Sequence, residues 1–375
     1  MAENRNRQGG RQGEMRNTRR AATPTSRNRK IMEQRRRAKL RARRRRRMAF
    51  AVVFLLCFSG IIYTIYGLFN SALINNSGVL PKDIQTPKEI QSDNINFLIC
   101  GIDYEDGRSY GTNMGMTDVI LYVSFDIKAN RINILQIPRD TFIGSDVPTG
   151  GTGKINAIAY HGTENPPIAS LARVISEEFG LPIDYYVTID MDAFREIINK
   201  LDGIEVYVPE RMELDGNVLE PGLTVMDGAT AEFFVRYRNF AQADIKRLEM
   251  QRYFYAAVFN KLMSFPPSDV VKVLPVYMQY VETDLSLAGL GRLFPRIMQV
   301  PRENIYIYRV PGEAVMHNGH SVYSVHRAPL LECINTAFRP YQPPLAEEDF
   351  NAVELAYTND YITGEGVPLS GIQTE

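Results

Sequence analysis

The sequence predicts an α/β fold, a three-layer α/β/α domain with a central mixed sheet, preceded by one transmembrane helix. Three observations lead there. From Ile95 onward, short apolar runs of strand length alternate with longer amphipathic stretches. A 22-residue run without a charged side chain precedes them. Charge also separates on either side of that run, although the chain as a whole has a formal net charge of zero.

Residues 1–47 hold 19 Lys and Arg against 3 Asp and Glu, leaving only 24 of the 43 basic residues but 40 of the 43 acidic ones for the rest. This Arg-, Asn-, Gln- and Gly-rich stretch has too little apolar surface to build a core, so it is expected to be a disordered tail. No aromatic residue interleaves its arginines to stack on bases. Nucleic acid is therefore not the expected partner, and anionic lipid headgroups are.

Met48 to Phe69 reads MAFAVVFLLCFSGIIYTIYGLF. At ~1.5 Å per residue such a helix covers the ~30 Å hydrocarbon core of a bilayer. Five consecutive arginines, 43–47, end where it begins. The positive-inside rule then places the N-terminus in the cytoplasm and the remainder outside, in a single-pass cell-membrane protein. A cleaved signal peptide is the rival reading, but the run is long for one and no small-residue cleavage pattern follows.

Residues 70–94 read as a linker. Asn96–Cys100, Val119–Phe125 and Arg131–Ile137 read as strands of a buried sheet. A helix over Pro167–Phe179 closes at Gly180, a strand covers Tyr185–Ile189, a helix Asp190–Leu201 and a strand Ile204–Val208. Asp227 caps a further helix, followed by helices over Asp244–Met263 and Ser286–Met298, a strand over Ile305–Val310 and a helix over Ser324–Phe338. This places one extracellular domain at 95–340. The acidic tail 341–375 has few packing residues and is expected to be weakly ordered. The cysteines, Cys57, Cys100 and Cys333, are too sparse for a disulfide-stapled scaffold.

Several candidate chemistries fail on spacing. Gly150-Gly-Thr-Gly-Lys154 lacks the first glycine of a P-loop, since Pro148 stands there, and Ile155 replaces the required Ser or Thr. His317 and His320 flank Asn318-Gly319, a turn signal, without a Glu or cysteine pair to complete a zinc site. No Gly-x-Ser-x-Gly elbow is present.

The surviving candidates are arginines and aspartates. Asp103 follows an apolar run and Asp118 precedes one, which puts both at strand ends, where α/β sheets bind ligands. Two carboxylates that meet need a cation or a shared proton, and Mg2+ takes one or two carboxylates with phosphate oxygens and water. Arg139 lies between apolar segments. Arg236 and Arg238 are two apart, and an extended backbone would point both one way. Asp244, Arg247 and Gln251 fall at i, i+3 and i+7, one helix stripe. Lys154 adds a cation within reach of an anion. Clustered guanidinium groups favour phosphate.

In this order the motifs resemble the LytR-CpsA-Psr family of cell-wall glycopolymer ligases. The residues that carry the resemblance begin with Leu98-Ile-Cys-Gly-Ile-Asp103, Thr117-Asp118, Ile137-Pro-Arg-Asp-Thr141 and Lys154-Ile-Asn156. They continue through Asp184-Tyr-Tyr-Val187, Gly203-Ile-Glu-Val206, Val235-Arg-Tyr-Arg238 and Asp244-x-x-Arg247-x-x-x-Gln251. The resemblance implies an Mg2+-dependent phosphotransferase that moves a teichoic acid, capsule or related glycopolymer from polyprenyl pyrophosphate onto peptidoglycan. The acceptor in the family is generally the 6-hydroxyl of N-acetylmuramic acid. Asp103 and Asp118 would hold Mg2+, and Arg139, Arg236, Arg238 and Arg247 would bind the pyrophosphate, with Asp244 and Gln251 orienting them. Asp103 or Asp140 would take the acceptor proton. Two rivals use the same residues: a hydrolase of the lipid-linked glycan, and a membrane sensor of such intermediates without turnover.

Overall fold

The computed structural model describes residues 80–104, 114–240, 243–266, 276–355, 358 and 364–374. The basic tail and the apolar run 48–69 lie outside these residues. Among the described residues no helix is long and apolar enough to cross a membrane.

The first three strands form an antiparallel meander: β1 (Asn94–Asp103), β2 (Met116–Asp126) and β3 (Arg131–Gln136). After helix α1 (Ile168–Phe179), β4 (Tyr185–Asp190) lies parallel beside β1. Late in the chain, β9 (Glu282–Thr283) pairs with β4, and β10 (Ile305–Arg309) joins β3 in parallel. β13 (Val367–Pro368) closes the far edge, giving seven strands in the order β13-β10-β3-β2-β1-β4-β9. The central mixed sheet is thus as expected.

The two-residue period of the strands builds the layers. Leu98, Cys100 and Ile102 of β1 face Ile168, Leu171, Ile175 and Phe179 of α1 and Leu330 of α6 (Arg327–Cys333). Phe97 faces the other way, with Phe125, Ile132 and Ile307, against Ala256 of α4 (Ala243–Met263) and Leu290 and Leu293 of α5 (Leu287–Ile297). Helix boundaries follow local chemistry. The Asp190 carboxylate accepts from Ala193 N at 2.7 Å and starts α2 (Met191–Lys200); Asp227 does the same for Thr230 N at 2.8 Å and starts α3 (Gly228–Arg236). Gly180, at φ 63°, ends α1 in the left-handed conformation that glycine adopts without strain.

Four expectations change. β5 (Ile204–Val208) is a strand, but it pairs with β8 (Gly222–Met226) in a separate ribbon. Together with the small hairpin β6 (Met212–Leu214) and β7 (Asn217–Leu219), this ribbon packs on α2, α3 and α4 around Val206, Phe234 and Phe254. Ser324 and Val325 end a strand rather than starting a helix: β11 (Gly312–His317) and β12 (His320–Val325) form a hairpin around Asn318 and Gly319, both at positive φ. The helix begins at Arg327 and runs into a π-helical turn, Ile334–Phe338. The chain after Pro340 supplies buried Phe350, Ala352 and Leu369 besides β13, because its few apolar residues are spaced to meet the core. Residues 80–93 are likewise docked rather than a free linker, with Leu80 and Ile84 buried.

Candidate anion-binding site

Asp118 owes its position to an irregularity in the sheet. Gly101 of β1 pairs with Val119, but the next residue, Ile102, pairs with Thr117, so Asp118 is an extra residue in a β-bulge. A bulge turns its side chain out of the regular alternation. Gly115 allows the two strands to close here, since a Cβ on it would overlap the Asp103 carbonyl.

Three arginines converge on this bulge. The Asp118 carboxylate accepts from Arg139 Nη1 at 2.8 Å through Oδ1 and from Arg238 Nη2 at 3.0 Å through Oδ2. The Asp118 carbonyl accepts from Arg247 Nη2 at 3.4 Å. The Asp244 carboxylate faces the same three. Its Oδ1 lies 2.9 Å from Arg247 Nη2, 3.6 Å from Arg139 Nε and 3.8 Å from Arg238 Nε. These are ion-pair distances without hydrogen-bond angles: Asp244 Oδ1 and the buried Nε groups of Arg139, Arg238 and Arg247 have no hydrogen-bond partner among the described residues.

The fourth arginine is one step aside. Arg236 Nη2 donates to Asp103 Oδ2 at 3.1 Å, and its Nη1 donates to Glu232 Oε1 at 2.9 Å. Glu232 Oε2 is in turn held by Arg195 Nη1 at 2.5 Å. Arg236 and Arg238 do not share an extended segment. Arg236 is the last residue of α3, and Tyr237 after it is extended. The change of backbone splits the pair between two aspartates, Asp103 and Asp118.

The i, i+3, i+7 stripe is real, but its members do different things. Arg247 is almost fully buried, its side chain 2% exposed. Burial lowers its pKa, as do the charges of Arg238 and Arg139, while Asp244 opposes the fall. Around Arg139, burial also opposes the charge, but Asp118, Asp140 and Asp244 outweigh it and raise the pKa. Gln251, also buried, does not reach the arginines: its Nε2 donates to the Val235 carbonyl at 3.0 Å and its Oε1 accepts from Tyr255 OH at 3.2 Å. It therefore fixes the end of α3 that carries Arg236.

Lys154 is not in the ring either. Its Nζ pairs with Asp140 Oδ1 at 2.9 Å. Its loop is tied to the site through the backbone, with Asn156 N donating to the Arg139 carbonyl at 3.1 Å and Thr117 Oγ1 to the Asn156 carbonyl at 3.1 Å.

A cavity of about 230 Å3 opens beside the ring, bounded by Arg139, Asp140, Arg238 and Asp244. Its far wall is the β11–β12 hairpin, which sequence reasoning did not connect with the site. The signal was present in Asn318-Gly319 between two alternating runs. Among the described residues, no group of three or more His, Cys, Asp or Glu gathers to hold a metal. Asp103 and Asp118 are two hard carboxylates on adjacent strands, each paired with arginine. Such a set fits Mg2+, which takes one or two carboxylates and completes its shell with phosphate oxygens and water.

Carboxylate-pinned guanidinium groups around a strand-end bulge give this α/β protein a candidate oxyanion site. The chain belongs to the LytR-CpsA-Psr family, whose model (LytR_cpsA_psr) matches residues 68–339. It is 28% identical over 290 residues to the polyisoprenyl-teichoic acid–peptidoglycan teichoic acid transferase TagU of Oceanobacillus iheyensis, an alignment covering 73% of this chain and 87% of that one. Its identity to the Bacillus subtilis protein of the same name is 25% over 261 residues, covering 68% and 81%. Among solved structures, B. subtilis TagV superposes with a TM-score of 0.56 at 23% identity, covering 70% of this chain and 98% of that one. TagT bound to LIIa-WTA superposes with a TM-score of 0.53 at 22% identity, covering 68% and 96%. At these identities the structural likeness speaks for the fold alone.

Proposed function

We propose that this protein is a membrane-anchored transferase that moves a phosphate-linked glycopolymer from a polyprenyl-pyrophosphate carrier onto peptidoglycan, at the outer face of the cell membrane. The observation that carries the reading is the convergence of Arg139, Arg238 and Arg247 on one point with their buried Nε donors unmatched. Each unmatched buried donor costs about 1–3 kcal/mol, so anionic oxygens that regroup the three guanidiniums would recover part of that cost. A pyrophosphate offers such oxygens at the right charge. The names of the relatives point to the same substrate class.

In this reading Arg139, Arg238 and the more exposed Arg236 hold non-bridging oxygens, while buried Arg247 and Asp244 fix the ring from beneath. Asp103 and Asp118 are the residues that would hold Mg2+, which when bound neutralises charge on the pyrophosphate and on the leaving phosphate. Fixed positive charge where the transition state gathers negative charge is the main catalytic contribution expected of the protein itself.

The test uses the full chain in detergent with a synthetic polyprenyl-pyrophosphate glycan, a peptidoglycan oligomer and Mg2+, read by mass spectrometry. A phosphodiester-linked adduct that disappears with EDTA and in Arg139→Ala is the expected result. Free glycan phosphate without adduct would make the protein a hydrolase, and tight donor binding without either product would make it a sensor.

A further inference from the structure

The cavity beside the arginine ring has two unlike walls. One is the loop Pro138–Asp140 with Arg238 and Asp244; the other is the hairpin, through Ala314, Ser321 and Val322. The hairpin is fastened to the loop. Tyr323 N donates to the Asp140 carbonyl at 2.8 Å, and Phe142 N donates to the Tyr323 carbonyl at 2.9 Å. At about 230 Å3 the space is below the roughly 300–1,000 Å3 typical of pockets for drug-sized ligands, which suits one ring-sized group rather than a length of polymer. Its lining mixes apolar Val322 and Leu248 with Asp140 and Ser321, as the apolar face and hydroxyl rim of a sugar require.

The carboxylates around the cleft are not equivalent. Asp118 is held by two guanidiniums, Asp244 lies among three, and Asp103 is held by Arg236. Asp140 faces the cavity with one ion pair, to Lys154 through Oδ1, and stands next to Arg139 in the chain. It lines the cavity, which Asp103 and Asp118 do not, and its partner is a lysine rather than an arginine of the ring, so it stands at the boundary between the phosphate-binding ring and the hairpin groove.

We propose that this groove is the acceptor subsite, holding one sugar ring of the wall glycan with its primary hydroxyl against Asp140, which acts as general base. The inference rests on the transferase reading above. In the step, the hydroxyl oxygen forms a bond to the glycan-bearing phosphorus and its proton passes to the Asp140 carboxylate. The bond from that phosphorus to the bridging oxygen breaks, and polyprenyl phosphate leaves with the electron pair. Asp140 then returns its proton to water. Lys154 is a positioning residue that holds one carboxylate oxygen and leaves the other to the acceptor.

The experiment measures steady-state transfer by the full chain in detergent, varying donor and acceptor separately, with donor affinity measured directly by calorimetry. Ser321→Trp and, on the facing strand, Ala314→Trp are expected to raise acceptor KM tenfold or more with donor affinity unchanged. Both positions are exposed, so the two variants guard against a folding fault in either. Asp140→Asn is expected to lower kcat at least a hundredfold with donor affinity unchanged, and Asp140→Glu to restore part of the rate. Unchanged acceptor KM in both tryptophan variants overturns the subsite, and a loss of donor affinity in its place assigns the groove to the donor's first sugar. Near-normal kcat in Asp140→Asn overturns the base. A wild type that makes no adduct at all sinks the transferase reading and this inference with it, whereas the preceding outcomes leave the transferase intact.

Discussion

Strands β1 and β4 lie side by side in parallel, and aspartates stand at both ends of the pair with opposite kinds of partner. At the C-terminal end, Asp103 and neighbouring Asp118 are held by the tips of arginine side chains. At the N-terminal end, Asp184 accepts from Thr86 N at 2.9 Å, Thr86 Oγ1 at 2.7 Å and Asn96 N at 2.8 Å. Asp284 beside it accepts from Tyr186 N at 2.9 Å and Leu80 N at 3.5 Å. Main-chain amides fixed by the fold make a clasp for the chain entering the domain. Guanidinium groups on flexible stems can be taken over by another anion. The residue type is the same, and the partner separates a site from a staple.

The largest effect expected from this contrast is at the arginine end. Arg139→Ala should reduce transfer about a thousandfold, the scale for losing one donor to a developing oxyanion, with Tm nearly unchanged because the side chain is partly exposed. Circular dichroism melting beside the transfer assay checks both halves, and a large fall in Tm would mean that the ring is structural.

The clasp should answer in the reverse sense. Asp184→Ala leaves buried amides and a hydroxyl unpaired and should cost roughly 3 kcal/mol of stability, while transfer per folded molecule stays near normal. Chemical denaturation gives the first number and active-site titration the second. A truncated domain beginning near residue 90 should suffer similarly, since it lacks Leu80, Ile84 and Thr86. Unchanged stability in such a truncation would show that the clasp is ornamental.

The contrast also has a pH signature. Burial raises the Asp284 pKa from 3.8 to about 6, with the amide hydrogen bonds opposing, and burial raises Asp184 as well. A carboxyl whose folded pKa is raised contributes stability that is full below its unfolded pKa and lost as pH rises through the folded one. The wild type should therefore lose clasp stability between about pH 4 and pH 6, and Asp284→Asn should flatten that part of the curve. Parallel Tm–pH curves for the two proteins would refute the assignment.

Sequence reading reached one end of this comparison and not the other, for physical reasons. Arg247 and Gln251 were legible because i, i+3, i+7 is fixed by helix geometry, and Arg139 because a charge between apolar runs marks a cleft. The bulge that aims Asp118 depends on the register between two strands, which neither strand encodes alone. Phe233-Phe-Val-Arg236 suits a strand as well as a helix end, so the backbone of Arg236 was misread, and the helix end sets its side chain beside Asp103 rather than in the ring. The edge strand β13 is two residues long and its value comes from where it lands, whereas the hairpin carried its turn signal in Asn318-Gly319 but nothing local to say which wall it would form. The clasp was not legible because donors to Asp184 and Asp284, Thr86 and Leu80, lie 98 and 204 residues away along the chain.

The smallest effect sharpens the boundary between the two kinds of residue. Gln251 sits on the arginine stripe, yet its side chain is bonded like the clasp, to a main-chain carbonyl at the end of α3. If it belongs with the staples, Gln251→Ala should cost about 1 kcal/mol of stability, the value of one hydrogen bond. Transfer should then fall only severalfold, through a looser Arg236, with donor KM rising more than kcat falls. Gln251→Glu is the discriminating partner. It retains the volume but loses the Nε2 donor, and it sets a carboxylate against the Val235 carbonyl close to Arg247. A loss as deep as that of Arg139→Ala in the alanine variant, with stability unaltered, would instead move Gln251 into contact with the phosphate and extend the site one helical turn deeper than the ring.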